Sequence, residues 1–213
     1  MSAAATTDPR DRRTFVAVEL PAEVKHAIAA EQARVQAALA GQGIASTLRW
    51  SPVDNIHLTL RFLGDTTSAQ QRRLIDGLAS AARVWSPFAL STGGLGCFPN
   101  CRAPRVVWLG VAGDMAALAA IQSEVERLAQ AIGFAAEERA FSPHLTLARA
   151  RREASRPALQ ETGRVLAVLA VDDTPPALPF NVDHVVYFHS DLRAGGSVYT
   201  PLAVLPFGRG PIT

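Results

Sequence analysis

One tetrapeptide, His-Leu-Thr-Leu, occurs twice in the chain, at residues 57–60 within IHLTLRFLG and at residues 144–147 within SPHLTLARA. With 5 His, 13 Thr and 22 Leu among 213 residues, a second copy by chance is expected in roughly one of a few hundred such chains, so the repeat reads as an internal duplication. On a β-strand, successive side chains point to opposite faces. His57 and Thr59 therefore share one face, as do His144 and Thr146. Leu58, Leu60 and Phe62, and likewise Leu145 and Leu147, point the other way, and that face is expected in a core.

The rest of the chain supplies helices and strands in alternation. Residues 14–20 (TFVAVEL) are β-branched and aromatic and read as an opening strand closed by Pro21. Helical spacing of apolar residues follows at 22–39, from Ser68 to about Val84, from Asp114 to about Ile132, and from Arg156 to about Leu169, although β-branched residues at 165–171 leave a strand open there. Strands are expected at 56–63, 88–95, 105–110 and 144–148, with residues 97–104 a loop able to reach over a cleft. Residues 172–179 read as a linker, and 182–190 and 197–205 as a hairpin turning at 193–196. Hairpins imply antiparallel pairing, which favours an α+β fold over a doubly wound parallel one.

At this length one domain of two lobes is expected over residues 14–213, preceded by a disordered tail at 1–13 (MSAAATTDPRDRR) that lacks the apolar stretch of a secretory signal. The composition is 48% hydrophobic and 19% charged, and no apolar run approaches the length of a membrane span, so the expected setting is the cytoplasm, without a membrane partner. Cys97 and Cys101, in GCFPNC, match neither a redox pair two residues apart nor a four-ligand zinc site, and they read as reduced thiols. A net charge of +2 excludes a protein that coats polyanions. Arginine outnumbers lysine 20 to 1, a preference that suits phosphate recognition but that a genome-wide bias also produces.

If the two repeat strands face one cleft, two imidazoles and two hydroxyls converge. That set suits a phosphodiester: a neutral imidazole accepts a proton from water, a protonated one donates to the leaving oxygen, and the hydroxyls donate to the phosphoryl oxygens. Two histidines are too few ligands for a metal, and no nearby His or Asp spacing completes a set, so metal-free chemistry is expected. His26, His184 and His189 read as ordinary polar residues.

At these residues the chain resembles the 2H phosphoesterase superfamily, named for two His-x-Thr-x motifs, and within it the RNA 2′,3′-cyclic phosphodiesterases, historically called 2′-5′ RNA ligases. The resemblance rests on TFVAVELP, NIHLTLRFLG, PRVVWLG, FSPHLTLAR and the late Tyr199-Thr200-Pro201-Leu202, in that order along nearly the whole chain. It implies two pseudo-symmetric lobes, each an antiparallel sheet with outer helices, around a central cleft. It also implies that His57 is the proton donor and His144 the proton acceptor, that Thr59 and Thr146 bind the phosphate, and that no cofactor is used.

The implied substrates are RNA ends or nucleotides bearing a 2′,3′-cyclic phosphate, opened to a 2′-phosphomonoester, by a protein expected to be monomeric. The alternatives are 2′-5′ ligation, hydrolysis of another 2′ linkage, and a non-catalytic RNA-binding module. Three further residues are candidates for the substrate. Arg61 has the strand parity of His57, Phe141 can stack on a base, and Arg149 sits where the family often has arginine. In an ideal strand Arg149 faces away from Thr146, so a bend must turn it.

Overall fold

The opening strand β1 runs from Arg12 to Val18 in the computed structural model, which describes residues 12–172, 177–193 and 196–208. Arg12 and Arg13 pair with Thr66 and Asp65, so the folded chain reaches two residues further back than the expected start at Thr14. Helix α1 (Ala22–Gly41) follows, then the short β2 (Leu48–Trp50) and, after a single helical turn, β3 (Leu58–Thr66). Next come α2 (Ser68–Ala82), β4 (Phe88–Phe98), β5 (Val106–Gly113), α3 (Met115–Ala131) and β6 (His144–Ala150). The chain ends with α4 (Arg156–Asp172), β7 (Pro179–Val182), β8 (His184–Arg193) and β9 (Gly196–Pro206). The ambiguous stretch at 165–171 is thus helical, and β7 is a strand that the proline-rich sequence hides. Parts of the expected linker (173–176) and hairpin turn (194–195) lie outside the described residues.

Local chemistry accounts for the helix starts. Thr67, one residue before the expected cap Ser68, accepts from Gln70 N while the Gln70 side chain accepts from Thr67 N, a reciprocal box that satisfies two orphan donors. Asp114 caps α3 by accepting from Ala117 N at 2.9 Å.

All strand pairs are antiparallel, and the sheet runs β7-β4-β5-β6-β3-β1-β8-β9, with β2 added on β6. The two expected lobes are the two halves of this one continuous curled sheet, and the fold is α+β. The halves join through a single residue pair, Leu58 opposite Leu145. These are equivalent positions of the repeat, so a pseudo-two-fold axis passes between them. Both are wholly buried, together with Leu60 and Leu147, in a core that includes the inward faces of all four helices. At about 1.5–3 kcal/mol for each fully buried leucine, the repeat's apolar face anchors the seam between the halves.

The other face of the sheet carries a second, smaller apolar cluster of Phe15, Ala17, Val186 and Phe188, with Tyr199 against it. Behind it, the buried Tyr187 hydroxyl donates to Thr14 Oγ1 at 3.0 Å, tying β8 to β1.

The two cysteines form a disulfide, Cys97 to Cys101, in place of the reduced thiols that their spacing suggests. The loop after β4 returns its ends to a Cα separation of 5.7 Å, inside the range of roughly 4.4–6.8 Å that a disulfide spans. Sequence spacing does not report such a reversal. The same loop packs against α4, where Gly163 leaves room for the Cys101 carbonyl, and its residues 99–104 do not border the cleft.

Candidate active site

Both repeats open onto a cavity of about 260 Å³ bordered by β2, β3, β6 and the start of β9. Its lining includes His57, Thr59, His144 and Thr146, so the fold brings these four residues to one cavity. Among the described residues the lining holds two histidines and two arginines, Arg49 and Arg149, and no carboxylate. The field inside therefore favours an anion.

The two imidazoles are held alike. His57 Nδ1 lies 2.9 Å from the Asn55 carbonyl and His144 Nδ1 lies 2.7 Å from the Ser142 carbonyl, each two residues upstream. A carbonyl only accepts, so in both rings Nδ1 carries the hydrogen and Nε2 is left for a ligand. Asn55 also donates from its side chain to the Ser197 carbonyl at 2.7 Å, locking the turn that carries His57 to β9.

Their surroundings differ. His57 stacks on Phe15 with ring centroids 4.6 Å apart, with Phe188 beyond and the edge of Tyr199 at 5.2 Å. Burial in this aromatic box pushes the His57 pKa down from 6.5 to about 4, outweighing the Asn55 bond, which acts upward. His144 meets Phe98 edge-on at 5.0 Å and Trp108 at a tilt at 6.4 Å. Gly96 makes room for that indole, because a Cβ there would meet its ring.

A β-bulge at the fourth position of each repeat decides which neighbours reach the cavity. On β3, Ala17 pairs with Thr59 and Val16 with Arg61, leaving Leu60 unpaired. On β6, Trp108 pairs with Thr146 and Val107 with Ala148, leaving Leu147 unpaired. One extra residue inverts the alternation beyond it.

Two expectations change as a result, and the bend that Arg149 requires is supplied. Phe62 does not point into the core with the leucines: it is 58% exposed, packs on Phe15 and lines the cavity. Arg61 is not a cavity residue, because the bulge turns it to the helix side. There its guanidinium meets Glu126 at 2.8 Å and Glu137 at 2.7 Å, and donates to the Ala135 carbonyl. Arg149, which an ideal strand would turn away, lines the cavity. Phe141 does not line it and packs half-buried against the main core.

Gln32 of α1 fixes the bulge on β6 from behind. Its side-chain amide donates to the Leu147 carbonyl at 3.0 Å and the Ser51 carbonyl at 2.9 Å. The residues that the motif reading misses are Asn55, Gln32, Arg49 and the aromatic walls Phe15, Phe98, Trp108, Phe188 and Tyr199. For the walls the only sequence signal is that several stand in the stretches that carry the family resemblance.

Comparison with known proteins decides the family. The model of the 2′-5′ RNA ligase superfamily matches residues 22–193. The chain belongs to this superfamily. Among its relatives, the RNA 2′,3′-cyclic phosphodiesterase of Methanothermobacter thermautotrophicus is 30% identical, over 90% of this chain and 97% of its own. That of Geobacillus stearothermophilus is 30% identical over 92% of this chain, and that of Aeropyrum pernix is 41% identical over 50% of it. The match spans 59% of the length of each of these last two relatives.

Solved structures share the fold. TT0787 of Thermus thermophilus superposes with a TM-score of 0.70 at 28% identity, covering 93% of this chain and 98% of that one. E. coli LigT in complex with 3′-AMP superposes with a TM-score of 0.69 at 26% identity, covering 92% and 98%. Among the described residues, no helix is long and apolar enough to cross a membrane.

Proposed function

We propose that the protein is a metal-independent RNA 2′,3′-cyclic phosphodiesterase, opening the cyclic phosphate at an RNA end or on a nucleotide to leave a 2′-phosphomonoester. The reading rests on two His-Leu-Thr-Leu units that meet at one cavity without carboxylates, each imidazole pinned through Nδ1 so that Nε2 is free. The named activity of the relatives supports the substrate class.

In this mechanism the phosphorus lies between the two Nε2 atoms. His144 takes a proton from the attacking water as the new P–O bond forms, and His57 gives one to the 3′-oxygen as its bond to phosphorus breaks. Thr59 and Thr146 donate to the non-bridging oxygens, where charge develops. Arg149 adds a cation, and the exposed face of Phe62 offers a stacking surface for a base. Arg61 and Phe141 have no part in the reaction.

The donor role of His57 follows the family resemblance, and it makes a demand on the substrate. Burial keeps this imidazole neutral at pH 7. The phosphate anion must supply the charge that raises its pKa, since an opposite charge within about 4–6 Å favours the protonated ring. His144, in its more open setting, is left to accept.

The test is turnover of a 2′,3′-cyclic mononucleotide, with the product isomer identified. A 2′-monophosphate is expected, at a rate that EDTA leaves unchanged. His57→Ala and His144→Ala are each expected to lower kcat/KM by at least about 100-fold, the low end of a general acid-base contribution. Near-native turnover by either variant would sink the mechanism, and intact substrate with the wild-type protein would favour a binding module instead.

A further inference from the structure

The two copies of the repeat hold their imidazoles by the same bond but restrain the acceptor differently. In the second copy the carbonyl that takes the His144 Nδ1 hydrogen belongs to Ser142, and Pro143 stands between the two residues. A proline ring fixes its own φ at about −65° and keeps the residue before it extended. One of the two backbone rotations that separate the Ser142 carbonyl from His144 is thus closed by covalent geometry. Among the described residues the Ser142 side chain makes no hydrogen bond that would add to this.

The first copy has Ile56 in that place. Proline does not suit this position. Ile56 N donates to the Val53 carbonyl at 3.0 Å, closing the helical turn Val53–Asn55, and the isoleucine side chain is buried in the main core. Both rotations at residue 56 therefore stay open, and the Asn55 carbonyl, which takes the His57 Nδ1 hydrogen at 2.9 Å, needs another restraint. The Asn55 side chain has one. Its Nδ2 donates to the Ser197 carbonyl at 2.7 Å, on the first turn of chain in β9. The same strand brings the edge of Tyr199 against the His57 ring at 5.2 Å. β9 therefore bounds the imidazole and anchors its acceptor together.

What the anchor secures is the tautomer. With its hydrogen on Nδ1, the neutral ring keeps a lone pair on Nε2, the only nitrogen that reaches the cavity contents. An acceptor free to turn away would let the hydrogen settle on Nε2 instead, and that form of the ring has no place on the substrate side to take up a proton.

We infer that Asn55 is a positioning residue for the reaction: its side chain, tied to Ser197 on β9, aims the carbonyl that holds the His57 hydrogen on Nδ1 and leaves Nε2 open to the substrate, the task that Pro143 performs for His144. This assignment rests on the proposed function for what Nε2 then does. Asn55 acts through His57 and not on the reacting atoms.

Long-range proton–nitrogen correlation spectra of the protein labelled with 15N-histidine test this without turnover. At about pH 8, where an imidazole of ordinary pKa is neutral, both His57 and His144 of the wild type are expected to carry their hydrogen on Nδ1. In Asn55→Ala, and in Asn55→Leu, which keeps the bulk but not the donor, His57 is expected to become a mixture of tautomers while His144 is unchanged. In the same variants kcat should fall about tenfold, the size of one hydrogen bond, with KM little altered. In the wild type one side-chain amide hydrogen of Asn55 should exchange slowly with solvent, a measurement that needs no variant. A His57 that stays wholly Nδ1-protonated in both variants, an equal disturbance of both histidines, a loss confined to KM, or fast exchange of both Asn55 amide hydrogens would overturn the assignment. The two readings fail separately. A tautomer change at His57 in a protein that turns over no cyclic phosphate would remove the hydrolase reading and keep the positioning, whereas turnover with His57 unchanged in the variants would remove only the role of Asn55.

Discussion

Lowering the pH from 7 to 5 protonates an imidazole of ordinary pKa in the unfolded chain, but leaves His57 neutral in the folded one, where burial against Phe15 holds it at about 4. Between those two pKa values the unfolded state binds more protons than the native state, so stability rises with pH there and is lost as the pH falls. The contribution is complete above about pH 6.5. From 6.5 to about 4, at about 1.36 kcal/mol per pH unit, the loss totals roughly 3 kcal/mol, of which about 2 kcal/mol falls between pH 7 and pH 5.

Urea unfolding across this range, compared with His57→Asn, isolates the effect, because the other histidines titrate in both proteins. The variant is expected to lose about 2 kcal/mol less than the wild type on going from pH 7 to pH 5. Parallel curves would refute the argument that burial keeps His57 neutral. The same reasoning links stability to catalysis. Inorganic phosphate in the cavity is expected to raise the His57 pKa, so its binding at pH 6 takes up protons, measurable as a dependence of the calorimetric enthalpy on the buffer.

Three other outcomes follow from the geometry. Arg61→Met strands Glu126 and Glu137 on the helix side and is expected to cost about 2–3 kcal/mol in chemical unfolding, less than for a fully buried pair because Glu137 is half in solvent. The folded variant should keep its kcat, and a collapse of kcat with the fold intact would return Arg61 to the site. Thr146→Val keeps the side-chain shape but removes a phosphate donor, so kcat should fall about 100-fold with little change in midpoint temperature. Gln32→Leu removes the side-chain donor of the Ser51 carbonyl, while the Leu147 carbonyl keeps the Ser51 backbone N–H, and should cost about 1–3 kcal/mol. Because it also frees the bulge that aims Arg149, its KM for a cyclic nucleotide should rise more than its kcat falls.

How far the sequence could be read depended on what strand alternation encodes. The duplication, the burial of Leu58, Leu60, Leu145 and Leu147, the shared face of His57, Thr59, His144 and Thr146, and the α+β class all follow from period two and the punctuation by glycine and proline. Alternation holds only as far as the first irregularity. The bulges at Leu60 and Leu147 have no mark in their own residues, since leucine is as much at home in a regular strand, and Gln32, which fixes one of them, is 115 positions from Leu147. Beyond those points every assignment by parity is inverted, which misplaced Phe62 and Arg61 and obscured Arg149. The aromatic walls were hidden because they are set by register between strands distant in sequence, and the Cys97–Cys101 bond because it depends on a local reversal of the loop after β4.

The bulges also bear on how two identical motifs support two different roles. Counted from each histidine, Phe62 and Arg149 hold the same place, five residues on, and the shared bulge turns both into the cavity. One half of the duplication therefore presents a phenyl ring where the other presents a guanidinium. The partner strands diverge in the same sense. The residue paired with Phe62 on β1 is Phe15, on which His57 stacks, whereas the residues paired with Arg149 are Val106 on β5 and Arg49 on β2, and His144 meets Phe98 edge-on and Trp108 at a tilt. The apolar half desolvates its imidazole, and the basic half draws the anion. An anion held by the basic half is what the desolvated imidazole needs in order to take up a proton. In the proposed mechanism the acid and the base are thus distinguished by residues outside the tetrapeptides, carried to the same cavity by a backbone irregularity that both copies share.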